Sequence, residues 1–122
     1  MMLQILFVIF LHDIWFYMSH VILHEPLCYE LFHKKHHSDN YVSDWVQTLF
    51  QGCGFYLASI FVTYHTMFIS FLFITIRRMM QDDPQYTWLV GNHRLLHYQY
   101  PNTNFGESWI DTFCKTKKLK TT

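Results

Sequence analysis

Between His20 and His37 the chain carries the run HVILHEPLCYELFHKKHH, an HxxxH pair followed nine residues later by HxxHH. Neutral imidazole is the commonest metal ligand among side chains, and a donor set made only of imidazole suits iron or zinc rather than calcium or magnesium. A helix advances about 100° per residue, so Asp13, Tyr17, His20 and His24 fall within roughly 60° of one another on a single stripe. His33, His36 and His37 share a face by the i, i+3, i+4 rule, while Lys34 and Lys35 point elsewhere. His93 and His97 make a third pair at helical spacing. Burying so many rings is costly unless each donor and acceptor is satisfied, and coordination satisfies the acceptor side. Asp13 and Tyr17 are placed to orient ligands from behind. One HxxxH on an interfacial helix is most often coincidence or a satisfied polar pair; two boxes this close together are much rarer by chance.

The elements that must hold these boxes follow from the apolar pattern. The 122 residues are one domain's worth of chain, 51% apolar and 20% aromatic, well above the aromatic share of an ordinary soluble domain. Such a composition implies a membrane protein. The formal net charge is +0 with histidine neutral, so no long-range attraction to nucleic acid is expected. Cys28, Cys53 and Cys114 are far apart with no CxxC pair, which indicates packing residues rather than a disulfide framework or a thiolate zinc site. No Lys or Arg precedes Lys34, so the apolar start lacks the basic head of a signal peptide and reads as a membrane anchor.

The expected order is an anchor helix over 2–24 bearing the first box, a surface helix over 26–37 that starts on Pro26 and bears the second, a membrane hairpin over 46–76, and a third-box helix with its loop over 86–116. The segment 38–44 reads as a polar turn. From Val46 to Ile76 there is no Asp, Glu, Lys or Arg. At about 1.5 Å per residue this is roughly 46 Å of helix against a hydrocarbon core of about 30 Å, too long for one crossing and too short for two full ones. All Lys and Arg flank or follow the apolar blocks, and the positive-inside rule then favours a hairpin of two short helices turning near Tyr64 and His65. Trp15, Phe16 and Trp45 are expected mainly to pack.

The run HDIWFYMSHVILHEPLCYELFHKKHH, together with NHRLLHYQYPNTNFGESWIDTFCKT near the C-terminus, resembles the histidine-box core of the fatty acid hydroxylase and sterol desaturase superfamily over roughly residues 12 to 116. The resemblance implies an all-α integral membrane bundle under a cytosolic histidine-rich cap. It also implies a centre of two iron ions, with zinc as a possible substitute, that uses dioxygen to hydroxylate or desaturate a fatty acyl chain or sterol. Carried over position by position, the implied metal ligands are His20, His24, His33, His36 and His37, with His93 and His97 from the third box. That box departs from the family pattern, since Arg94 and Tyr98 stand where further histidines would fall. Arginine keeps its charge in proteins and does not ligate, so the alternative is a catalytically impaired remnant of the fold holding a structural metal. The apolar block also lacks an HPxE motif, and relatives commonly carry more membrane helices ahead of the first box, so a short or degenerate member is expected.

Implied partners are a lipid substrate, the membrane, and a separate electron-donor protein such as a cytochrome or ferredoxin, with no nucleic acid. In a eukaryotic host the resemblance implies the endoplasmic reticulum. His65, inside the apolar block, is expected to bond a neighbouring helix rather than to ligate.

Overall fold

A computed structural model describes residues 1–38 and 45–118; within these helices the side chains of His36, Ser38, Trp45 and His93 lie outside the description, as do the rest of the expected polar turn and the end of the basic tail. The described residues are helical, with no strand among them.

Helix α1 (Met2–Leu23) is the axis of the fold and, among the described residues, the one helix long and apolar enough to cross a membrane. Helix α2 (Pro26–Cys28) follows with Pro26 in its first turn, where a missing N–H costs nothing. It runs through a π-helical stretch, Tyr29–His33, into α3 (Lys34–Ser38). The apolar block forms two helices, α4 (Trp45–Ala58) and α5 (Tyr64–Asp82), with the chain turning between Ser59 and Thr63. Thr63 caps α5 by accepting from the Thr66 N–H at 3.4 Å.

Side-chain partners set the directions. Trp15 Nε1 donates to Phe50 O at 2.7 Å, and Gly54 faces Leu11 and Trp15, so α4 runs antiparallel to α1. A Cβ at Gly54 would collide with Trp15 Cβ, so this glycine sets how closely the two backbones approach. Trp15 is therefore a packing residue. Thr66 Oγ1 donates to Gln4 Oε1 at 3.2 Å, and Arg77 donates to both Asp13 oxygens, so α5 runs parallel to α1. The turn between α4 and α5 thus lies beside the start of α1, and Arg77 returns the chain to the end that bears the histidines.

After a single 3₁₀ turn (Pro84–Tyr86), α6 (Thr87–Val90) and α7 (His93–Gln99) replace the one helix expected across this region. Gly91 separates them at φ 79, a conformation that glycine adopts without steric cost. Helix α8 (Ser108–Phe113) closes the fold.

Large apolar side chains point outward along α1 and α5, including Leu3, Leu6, Phe10, Phe68, Phe71 and Phe73. The interior holds polar groups beside apolar ones such as Val8 and Ala58: Ser19, Thr66, Ser70, His20 and His33 are all buried. An apolar outside around a partly polar inside is the reverse of what water selects.

Candidate metal centre

Five histidines meet at the end of α1. His20 and His24 come from α1 and its C-cap, His33 and His37 from the π-helical stretch and α3, and His97 from α7. One nitrogen from each lies within 4.8 Å of all the others. The Nε2 atoms of His20 and His33 are 3.1 Å apart, those of His33 and His37 3.0 Å, and those of His24 and His37 3.3 Å.

The far sides of three rings explain which nitrogen faces inward. His20 donates through Nδ1 to the Phe105 carbonyl at 2.5 Å, His97 through Nδ1 to the Thr103 carbonyl at 2.6 Å, and His33 through Nδ1 to Gln47 Oε1 at 3.0 Å. Each acceptor oxygen requires a hydrogen on Nδ1, which leaves Nε2 of the neutral ring with a bare lone pair. The facing Nε2 atoms of His20 and His33 therefore have no proton to share. His97 Nε2 is buried with no hydrogen-bond partner.

Protonating the cluster is opposed by its surroundings. Burial pushes His97 down to about 3 and His37 to about 4, each reinforced by neighbouring imidazoles, and burial also lowers His33 despite its bond to Gln47. Near neutral pH these rings are uncharged acceptors. Converging lone pairs, an orphaned acceptor and no available proton fit a cation, and borderline metals bound at about 2.0–2.1 Å put opposite nitrogens about 4 Å apart. The described five match one compact coordination sphere. His36 and His93, also expected as ligands, have side chains outside the described residues.

Arg94 and Tyr98 do not ligate among the described residues. Arg94 Nε makes an ion pair with Asp82 on α5, and its guanidinium bonds Tyr98. His65 is exposed near the start of α5 and does not return to the cluster. Asp13 and Tyr17, expected to stand behind the ligands, serve elsewhere. Asp13 accepts from Arg77, from Trp109 Nε1 at 3.1 Å and from His12 Nδ1 at 3.2 Å, and Tyr17 bonds Thr116 at 3.2 Å.

The ligand-orienting role falls to Gln47 and to two main-chain carbonyls in the 101–107 loop. That loop is itself pinned by Asp111, which accepts from the N–H groups of Phe105 at 2.9 Å and Gly106 at 3.0 Å and from Thr116 Oγ1 at 2.7 Å. A main-chain carbonyl leaves no mark in sequence, whereas Gln47 stands out as a polar residue at the head of an apolar helix. Beside the cluster lies a cavity of about 320 Å³ walled by His12, Phe16, His20, Arg78, Arg94 and Tyr98, among others.

The model of one family, fatty acid hydroxylase, matches residues 5–116. No curated protein and no solved structure matches the chain.

Proposed function

The chain belongs to the fatty acid hydroxylase family, and from that premise we propose that it is a membrane-bound, iron-dependent oxidoreductase that hydroxylates or desaturates a lipid with dioxygen. The observation that carries this reading is the convergence of one ring nitrogen from each of His20, His24, His33, His37 and His97, with the lone pairs of His20, His33 and His97 turned inward. Iron held there would supply oxygen activation and abstraction of hydrogen from an unactivated C–H bond. The chain's own contribution is to fix the tautomers through Phe105, Thr103 and Gln47 and to keep water from the buried face of the site. A second iron would draw on His36 and His93. Electrons would come from a separate cytochrome or ferredoxin-like protein, since no flavin or haem segment is apparent in the sequence.

The membrane setting is supported by the outward apolar side chains of α1 and α5 and by where the cations fall. Lys34 and Lys35, Arg77 and Arg78, Arg94, and Lys115 to Lys118 belong to elements that pack at the histidine end of α1. The positive-inside rule then favours a histidine cap facing the cytoplasm, and the family favours the endoplasmic reticulum in a eukaryotic host. Helix α4, with 14 residues, is only about 21 Å long, so the hairpin would enter a core of about 30 Å without crossing it fully. The whole chain forms a single domain in this reading.

A second reading is favoured by Arg94: its ion pair with Asp82 occupies the place of a ligand, and the described five histidines suit one ion. The protein would then be a non-enzymatic remnant with one structural metal. Metal analysis of the purified chain separates the two. Two irons with oxygen uptake on reduction in the presence of lipid support the oxidoreductase; one zinc without oxygen uptake supports the remnant.

A further inference from the structure

Six charged or titratable groups border the cavity beside the histidine cluster, and five are already engaged. His12 is tied to Asp13, His20 to Phe105, Arg94 to Asp82 and Tyr98, and His97 to Thr103. Arg78 is the exception. Its guanidinium lies 3.9 Å from the centre of the Phe16 ring, and it makes no ion pair among the described residues. The preceding Arg77 spends its charge on Asp13 and Glu107. Arg78 is thus a half-buried, permanently charged group in a cavity wall without a paired carboxylate among the described residues.

Its depth is informative. Arg78 follows directly on the apolar block, so in the membrane reading on which this inference rests it stands at the lipid–water boundary. An amphiphile keeps its charged head at that boundary and its chain below. The Phe16 ring that carries Arg78 is also 5.5 Å, centre to centre, from the His20 ring. Anything bound to Arg78 is therefore one aromatic ring away from the histidine cluster.

We infer that the cavity between Arg78 and the histidine cluster receives the anionic head of a single-chain amphiphile, a free long-chain acid or an alkyl phosphate, which sets the carbons nearest the head against the cluster. Arg78 forms charge-assisted hydrogen bonds with the anion while Phe16 holds the guanidinium plane. Neutral lipids, esters and sterols lack the group that Arg78 reads. The cavity volume of about 320 Å³ has room for one head with its first methylenes.

The test measures binding, not turnover. Full-length protein in nanodiscs at about pH 8, where a carboxyl is ionised, is titrated with palmitate, methyl palmitate and hexadecyl phosphate, and metal content is recorded for every sample. Palmitate should bind at least tenfold more tightly than its methyl ester, and Arg78→Gln should abolish that preference while leaving ester binding unchanged. Arg78→Lys, which keeps the charge, should retain most of it. Equal affinity for hexadecyl phosphate supports a reader of anionic heads in general, and weaker affinity supports one for carboxylates. Equal binding of acid and ester by the unaltered protein overturns the inference, as does an acid preference that survives Arg78→Gln. Should Arg78→Gln fail to fold, the acid-to-ester ratio of the unaltered chain and the lysine variant still decide. An absence of metal would count against the oxidoreductase reading and leave that ratio untouched, so the two failures are distinguishable.

Discussion

His20 Nδ1 donates to the carbonyl of Phe105 at 2.5 Å, joining the first histidine box to a loop 85 positions further along the chain. Both residues are buried, and the bond determines which nitrogen of His20 faces the cluster. The 101–107 loop is therefore part of the candidate metal centre although it adds no imidazole to it.

Asp111 should prove to be a positioning residue. It touches no ligand and holds the backbone N–H groups of Phe105 and Gly106. Asp111→Asn keeps the shape and gives up charge-assisted acceptance, so metal affinity should fall about 10- to 100-fold, the usual cost of losing an outer partner. Metal titration followed by competition with a chelator reads the change, and unaltered helical circular dichroism would exclude general unfolding. Unchanged affinity would show that Phe105 holds its place without Asp111.

Removing a ligand should act on both metal content and stability. His33→Ala deletes a fully buried ring that faces His20 and His37, and His97→Ala deletes the orphaned acceptor. Metal binding contributes folding free energy wherever ligands converge. Each variant should therefore lose most of its bound metal and melt at a temperature that no longer responds to added metal, while the unaltered protein melts higher with metal than with chelator. Full occupancy in either variant would remove the five-histidine set from consideration.

The third box can be tested by restoring it. Replacing Arg94 and Tyr98 together by histidine removes a fixed positive charge and the ion pair with Asp82, and adds two imidazoles beside His97. Iron per chain, measured by elemental analysis, should rise. An unchanged value would mean that these positions do not face a metal.

Asp13 and Arg77 should be strongly coupled. Asp13 is 3% exposed, and losing the partner of a buried charge typically costs about 3–5 kcal/mol. Arg77→Met alone should destabilise the protein by roughly that amount, and the double variant Asp13→Leu, Arg77→Met by clearly less than the sum of the single changes. A double-mutant cycle on denaturation in mild detergent measures the difference; additive effects would show that Trp109 and His12 suffice for Asp13.

Much of the candidate site was legible because helical spacing is a property of the chain itself. His20 with His24, and His33 with His37, sit on shared faces at the separations that a 3.6-residue turn demands, and the resemblance on those boxes agrees with the family the chain belongs to. Other features were not legible, for particular reasons. The acceptors on His20 and His97 are main-chain oxygens, which any residue type could supply. Asp13 looked like a ligand's partner because it shares their stripe, but the stripe is long, and Arg77 meets it about two turns from His20. The split of α6 from α7 turns on Gly91, whose positive φ becomes evident only in the folded backbone.

Because His97 and the carbonyls of Thr103 and Phe105 are translated after α5, the five-histidine cluster cannot close until the segment that follows α5 has left the ribosome, and its assembly depends on the last-made part of the fold rather than on α1 alone.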